Sequence, residues 1–256
     1  MALNSTNRPK SLINHVICPI GLHELHLWEI NLNSSSNEDA RLIELLSEDE
    51  HRRASAFKST VARKEFVITR GVLRLLLEQY TGVSACQLSF RYGPYGKPLL
   101  ITSTASGINF NVSHSEGMAL LAFTAGCDVG IDIQKVIAPE QMAAIRLILT
   151  DAEQAELDAA ETTQNRGYLS TRIWVAKEAL LKCRGFGLGH SSHVTVSNLL
   201  SREPTITVSP LLDPVPLNWH IRWLDSIPEY VAAFACPANI SCIRRFTWSS
   251  KDDHIF

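Results

Sequence analysis

No stretch of the 256 residues approaches the ~18 consecutive apolar positions of a membrane-spanning helix. That absence argues against a helical membrane protein and leaves a soluble, cytoplasmic chain with no membrane partner as the expectation. Residues 1–11 are polar and lack the apolar core of a signal peptide, so they read as a loose tail. Charge of one sign is also missing. The 24 Lys and Arg against 26 Asp and Glu leave a formal net charge of −2. Nucleic acid is therefore not an expected partner, and any polyanion site must be a local cluster. The six cysteines, Cys18, Cys86, Cys127, Cys183, Cys236 and Cys242, include no C-x-x-C pair. This speaks against a zinc site or a disulfide framework and for reduced thiols in a cytosol. No G-x-S-x-G nucleophile elbow occurs either.

What is present centres on Trp174-Val175-Ala176-Lys177-Glu178-Ala179-Leu180-Leu181-Lys182, followed by glycines at 185 and 187. Ala, Leu, Lys and Glu are strong helix formers and the glycines mark a stop, so a helix is predicted over 174–184. Trp174, Glu178 and Lys182 recur every fourth residue and share one face. Read plainly, Glu178 and Lys182 are a surface ion pair worth ~0.2–0.5 kcal/mol. Their company supports another reading. Trp174 seldom sits fully in water, and Ala179, Leu180 and Leu181 supply an apolar flank, which places both charges at a core boundary where charge is used or paired.

Periodicity and turn signals predict strands over 22–31, 87–92, 108–113, 118–124 and 129–134. Helices are expected over 38–46, from a Ser47/Glu50 capping box through Phe57, over 61–79, and from a Thr150/Glu153 cap to Ala160. A polar connection then leads to the helix at Trp174, and 194–196, 205–208, 219–223 and 230–236 read as antiparallel strands. The two parts of the chain rhyme. Each has a capped helix, a long helix ending at glycine, and a strand of small apolar residues, 116–123 in one and 228–235 in the other. The pattern predicts an α+β fold of two similar pseudo-symmetric α/β halves, residues 1–126 and 127–256, with a ligand in the cleft between them.

Several polar groups admit two readings. Asp132 closes a strand and binds backbone amides, or it converges with Glu178 on a hard cation such as magnesium held jointly with a diphosphate. His114, between Ser113 and Ser115 in a turn, satisfies backbone groups or helps hold a phosphate. The basic face of 61–79, with Arg63, Lys64, Arg70 and Arg74, is solvated or meets a phosphate. A hydrolase using Ser113 or Ser115 with His114 and Asp132 is a poor fit, because adjacent Ser and His cannot readily serve as nucleophile and base.

Gly96-Lys97-Pro98, Phe110-Asn111-Val112-Ser113-His114-Ser115, Val129-Gly130-Ile131-Asp132-Ile133 and Trp174 through Lys182 occur in this order. Together they resemble the motifs of the 4'-phosphopantetheinyl transferases of the long, single-chain, surfactin-synthetase-activating type. The resemblance implies a monomer of two fused α+β units that transfers the phosphopantetheine arm of coenzyme A to a serine of an apo acyl or peptidyl carrier protein. Adenosine 3',5'-bisphosphate is released, with Mg²⁺, or Mn²⁺ in its place, in the cleft. By position it implies Asp132 and Glu178 as metal ligands, Glu178 also as base, and Lys182 as the diphosphate clamp. Ser113 and His114 would contact the nucleotide phosphate and Lys97 the nucleotide, with Arg53, Arg63 and Lys64 as further phosphate contacts. One departure stands out. Where many members carry a third acid, this chain has Gln134, whose amide oxygen could reach the metal or a metal-bound water without adding charge. A module that binds coenzyme A or carrier proteins after losing catalysis is the non-enzymatic rival, against which the retention of Glu178 and Lys182 argues.

Overall fold

The computed structural model describes residues 19–33, 39–101, 107–138, 141–160, 162–213, 217–225 and 227–248; the 1–11 tail and Cys18 lie outside them. In chain order the elements begin with β1 (Glu24–Asn31), α1 (Asp39–Ile43), α2 (Glu48–Ala56), α3 (Thr60–Thr81), β2 (Ser89–Tyr92), β3 (Pro98–Ile101), β4 (Ile108–Ser115) and β5 (Met118–Ala125). They continue with β6 (Gly130–Lys135), α4 (Met142–Ile145), α5 (Asp151–Asp158), α6 (Thr163–Arg184), β7 (Val194–Ser197), β8 (Thr205–Val208), β9 (His220–Trp223), β10 (Tyr230–Cys236) and β11 (Cys242–Trp248). No helix among the described residues is long and apolar enough to cross a membrane.

Two sheets form the centre, one ordered β11-β1-β5-β4 and the other β6-β10-β9. Strand β5 is buried on both faces. Ala119, Leu121 and Phe123 join the core under α3, and Leu120 and Ala122 join the core shared with the second sheet. Strand β10 does the same, with Val231, Ala233 and Ala235 under α6 and Ala232, Phe234 and Cys236 toward the first sheet. A strand with no solvent face reads as a continuous apolar run, which is why both lack polar alternation. Each sheet thus carries its own long helix on one face and packs on the other sheet with the opposite face, giving a mixed α+β fold.

The two helix caps also match. In the first sheet's layer, Glu50 Oε2 accepts from the Ser47 amide at 2.9 Å and, fully buried, from Arg74 Nε of α3 at 2.7 Å. In the second, Glu153 Oε2 accepts from the Thr150 amide at 2.7 Å and pairs with Lys177 Nζ of α6 at 2.6 Å, both side chains wholly buried. A capping-box glutamate therefore doubles as counter-ion to a buried cation on the long helix. Lys177 completes its bonding on the carbonyls of Ile148 at 2.6 Å and Ser191 at 3.2 Å. Burial lowers its pKa, against the pull of Glu153.

Three local expectations change. Strand β4 runs through Ser115, so Ser113 and His114 lie on the strand, and the turn is only Glu116-Gly117. Both turn residues take positive φ, 40° and 89°, the primed turn that matches the twist of a two-residue hairpin. Helix α6 begins at Thr163, eleven positions before Trp174, because the Thr162 hydroxyl caps the Asn165 amide at 3.1 Å. Its exposed first turn, Thr163-Gln164-Asn165, has weak helix propensity and hides the start. Strand β11, unforeseen, lies parallel to β1 over seven residue pairs, Glu24↔Cys242 to Ile30↔Trp248.

Buried His26 on β1 ties β11 to α3. Its Nδ1 lies 2.8 Å from the Tyr80 hydroxyl, which also accepts from Trp28 Nε1 at 3.0 Å, and Phe246 covers the ring at 5.2 Å. On the other side of the ring, His26 Nε2 lies 3.6 Å from Glu24 Oε1. Burial depresses the His26 pKa, with Glu24 opposing.

Two outcomes are expected. Lys177→Met should cost about 3–5 kcal/mol in urea unfolding by stranding the Glu153 charge, and adding Glu153→Gln should recover part of that loss; an additive double variant would contradict the pairing. For His26, the unfolded state binds a proton first as pH falls. Its stabilisation is therefore complete above the usual imidazole value of about 6.5 and lost below it. The drop in urea midpoint from about pH 7.5 to about 5.5 should be smaller in His26→Gln than in the wild type, and equal drops would refute this assignment.

Candidate active site

The site begins with a glycine. A Cβ on Gly130, at the start of β6, would collide with the carbonyl oxygen of Ala179 and the amide nitrogen of Cys183. Only hydrogen fits there, so the backbone of α6 lies directly on β6. Glu178 and Lys182, one turn apart on that helix, are thereby carried to Asp132, two residues along the strand. Lys182 Nζ meets Asp132 Oδ1 at 2.5 Å and the Ser113 hydroxyl at 3.0 Å. The partner of Lys182 is thus Asp132, in place of the helix pairing with Glu178 that spacing alone suggests.

The free edge of β6 is covered by side chains of β4. The Asn111 side-chain oxygen accepts from the Ile131 amide at 3.0 Å, the Ser113 hydroxyl from Ile133 at 3.3 Å, and the Ser115 hydroxyl from Lys135 at 3.2 Å. All three side chains are buried. Alternate residues of the N-V-S-H-S motif therefore form a polar seam joining the two sheets, satisfying amides that a neighbouring strand would otherwise take.

Asp132 is 4% exposed. Its Oδ1 accepts from Ser113 at 2.7 Å and from Lys182, while its buried Oδ2 has no hydrogen-bond partner. Burial pushes the Glu178 pKa up; Lys182 works against that shift and the Asp132 charge adds to it, which places the two carboxylates within electrostatic reach. An orphaned carboxylate oxygen beside a second strained acid is the donor set that a hard divalent cation satisfies. Among the described residues no three His, Cys, Asp or Glu side chains converge on a metal position. Asp132 and Glu178 are the carboxylates that would hold such an ion. Half-buried Gln134 follows Asp132 on the same strand face, and substrate oxygens and water would complete the shell.

His114 faces away from Ser113 on the alternate side of β4. Partial desolvation holds its imidazole below the usual value, opposed by Glu65 and Asp132 and reinforced by Lys182. Near neutrality it is an uncharged donor. Ser113 is engaged by Asp132, Lys182 and the Ile133 amide, so no Ser-His pair is available for a hydrolase.

The remaining sequence candidates sit elsewhere. Lys97 donates to the Cys183 carbonyl near the C-terminal end of α6 at 2.8 Å, bracing the 93–98 loop against that helix, and Tyr95 joins His190 at 2.9 Å. Arg63 and Lys64 border a groove with Ala40, Ile43, Thr60 and Val67. Arg53 lies over the Phe66 ring at 5.4 Å. None of the hydrogen bonds of Asp132 and Ser113 involves these cations. Arg70 was counted only as part of a basic face. It is 8% exposed, sandwiched at 5.8 Å from the Phe66 centroid and 5.2 Å from that of Phe90, with Nη1 lacking a hydrogen-bond partner. Its Nε stands 3.5 Å from Glu50 Oε1. Burial lowers its pKa, Tyr92 and Glu50 oppose the shift and the charges of Arg53 and Arg74 add to it, and Arg70 and Arg74 both pair with Glu50. The i, i+4 spacing of Arg70 and Arg74 held this information, but only the fold shows that the face is buried.

Residues 128–235 match the 4'-phosphopantetheinyl transferase superfamily, and residues 31–125 match the family described as 4'-phosphopantetheinyl transferase, N-terminal. The 4'-phosphopantetheinyl transferase HetI of Nostoc sp. is 31% identical over 232 residues, which cover 90% of this chain and 92% of that protein. The L-aminoadipate-semialdehyde dehydrogenase-phosphopantetheinyl transferase of Eremothecium gossypii is 31% identical over 140 residues, 52% of this chain and 50% of that protein. With Asp132, Glu178 and Lys182 gathered on the glycine contact between β6 and α6, and with a relative matched over nearly its whole length, the chain belongs to the 4'-phosphopantetheinyl transferase superfamily.

Proposed function

We propose that the chain transfers the 4'-phosphopantetheine arm of coenzyme A to a serine of an apo acyl or peptidyl carrier protein, releasing adenosine 3',5'-bisphosphate, as an enzyme of the long, single-chain, surfactin-synthetase-activating type. The observation that carries this reading is the buried, unpartnered Asp132 Oδ2 beside Glu178, with Lys182 at hand. The name of the Eremothecium gossypii relative, which couples the transferase to a dehydrogenase, supports a protein acceptor.

The chemistry follows from the product. The transferred arm keeps the phosphate attached to pantetheine, so the serine oxygen attacks that phosphorus and the bridging P–O bond to the adenosine 5'-phosphate breaks. Asp132 and Glu178 would hold Mg²⁺, or Mn²⁺ in its place, which when bound neutralises charge on the diphosphate. Glu178, kept basic for a carboxylate by burial, accepts the serine proton directly or through water. Lys182, at the edge of the same pair, is positioned to neutralise charge on the departing phosphate. His114 offers a neutral N–H to phosphate, and the Arg53/Arg70 cluster offers the excess positive charge that a further phosphate of coenzyme A would balance. The 93–98 loop with Lys97 and the groove at Arg63 and Lys64 are proposed as outer contacts of the nucleotide. The enzyme is proposed to act as a cytoplasmic monomer.

With coenzyme A and Mg²⁺, mass spectrometry of an apo carrier protein should show the gain of one phosphopantetheine arm. No gain across several acyl and peptidyl carriers would defeat the proposal. Glu178→Gln and Asp132→Ala should each lower the transfer rate by about 10²–10⁴-fold with unchanged circular dichroism, and near-normal rates in both would overturn the residue assignment.

A further inference from the structure

We propose that a cavity enclosed by α4, α5 and the N-terminal part of α6 is a binding site for a small organic carboxylate with an apolar body. Asp132, Glu178 and Lys182 do not line it, and the site is independent of the transfer reaction.

Helices α3 and α6 are each 22 residues long, each preceded by a capping hydroxyl, Ser59 or Thr162, and each closed by a left-handed glycine, Gly82 or Gly185. Aligned from their first residues, they place Arg74 on Lys177, the cations of the two buried struts. The same alignment places Thr60 on Thr163, Arg63 on Arg166 and Val67 on Ser170. Both sets border a hollow. Thr60, Arg63 and Val67 line the groove beside α1, and Thr163, Arg166 and Ser170 line a cavity of about 300 Å³ beside α4 and α5. The two layers thus leave a space at the same place, and a buried valine in one is a buried serine in the other.

Ser170 is 1% exposed and its hydroxyl has no hydrogen-bond partner. A buried hydroxyl in a helix can return to the carbonyl four residues back, as neighbouring Thr171 does to Gly167 at 2.7 Å. Ser170 makes no such bond, and its donor and acceptor are left to the cavity it lines. Arg166 is held by its Nε on the Ala160 carbonyl and its Nη2 on the Asp158 carbonyl, each at 3.3 Å, so Nη1 is uncommitted. Arg146, exposed, lines the cavity beside it. Among the described residues neither arginine forms an ion pair. The Asp158 carboxylate, on the same wall, accepts from Gln154 at 2.9 Å, which leaves one surplus positive charge. That surplus suits a monoanion, and a guanidinium edge with a hydroxyl beside it suits a carboxylate. Ile145, Leu149 and Leu157 offer the remaining wall to a hydrocarbon body.

The experiment titrates octanoate into the full chain by isothermal calorimetry, with octanol and inorganic phosphate as comparisons. Octanoate should bind at a single site, octanol about 10-fold more weakly and phosphate not at all, and saturating coenzyme A should leave the octanoate affinity unchanged. Ser170→Phe, which fills the space, should abolish binding. Arg166→Met should weaken it about 10-fold, and Arg63→Met, at the equivalent position of α3, should match wild type. Ser170→Ala should weaken octanoate about 5-fold without lowering the thermal midpoint of the ligand-free protein, because the hydroxyl it removes bonds nothing there. Should Ser170→Phe fail to fold, Ser170→Ala carries the comparison. No uptake of octanoate by the wild type would overturn the proposal, as would unchanged affinity in Ser170→Ala and Arg166→Met. Competition by coenzyme A or an equal loss in Arg63→Met would place the ligand elsewhere and also overturn it. Phosphate binding as tight as octanoate would refute the carboxylate class, and a lower midpoint in Ser170→Ala would refute the free hydroxyl.

Discussion

The contact between the backbone of α6 and Gly130 sets the distance on which the candidate site depends. Asp132 belongs to a strand and Glu178 and Lys182 to a helix, and a helix laid on a sheet through side chains stands farther off. Removing the side chain from one strand position lets the helix settle onto the peptide itself, where its Ala179 carbonyl and Cys183 amide flank the glycine. Short carboxylates and one lysine then span the gap. Each acidic group keeps a separate environment: Asp132 is clamped by Ser113 and Lys182, and Glu178 is desolvated with its pKa raised. Two acids in different environments can divide the work of holding a cation and accepting a proton.

Buried charge elsewhere serves rigidity. Glu50 with Arg74 and Glu153 with Lys177 repeat one construction, a capping glutamate that reaches inward to the cation of a long helix. Each strut ties a helix start to the middle of the helix that backs its sheet, and each cation also anchors loop carbonyls, Ala85 and Leu88 for Arg74 and Ile148 and Ser191 for Lys177. The orientation of α6, and with it Glu178, is thus held from another side of the helix, since Lys177 and Glu178 are adjacent and point in different directions.

Much of this was legible in the sequence where the signal is local. Capping at Ser47/Glu50 and Thr150/Glu153, the glycine stops at Gly82 and Gly185, and the small-residue strands β5 and β10 all follow from neighbouring residues. The grouping of Asp132 with Glu178 was also anticipated, from their strand and helix settings and the family motifs. What was not legible depends on distant parts of the chain. The burial of Lys177 has no local signal, because nothing nearby shows that Glu153 is its partner. Ser113 and His114 looked like a turn because their places in β4 are fixed by pairing with β5 and by the bond of the Ser113 hydroxyl to the Ile133 amide of β6. The early start of α6 was masked by exposed polar residues of low propensity, and β11, with only Ile243, Phe246 and Trp248 half-buried, alternates too irregularly to announce a strand. Arg70 could be recognised as special only once its burial was known.

Strand β11 has a consequence for how the chain is made. It lies against β1 although every pair of facing residues is separated by 218 positions. During synthesis the outer edge of β1 therefore stays open while the whole second sheet is translated, on the order of 10–40 s at 5–20 residues per second. An open apolar edge of this kind is a template for pairing with another chain. The first sheet to emerge is the last to be closed, so a nascent chain interrupted before Cys242 would carry a complete set of cleft carboxylates and yet present an unfinished edge to its neighbours.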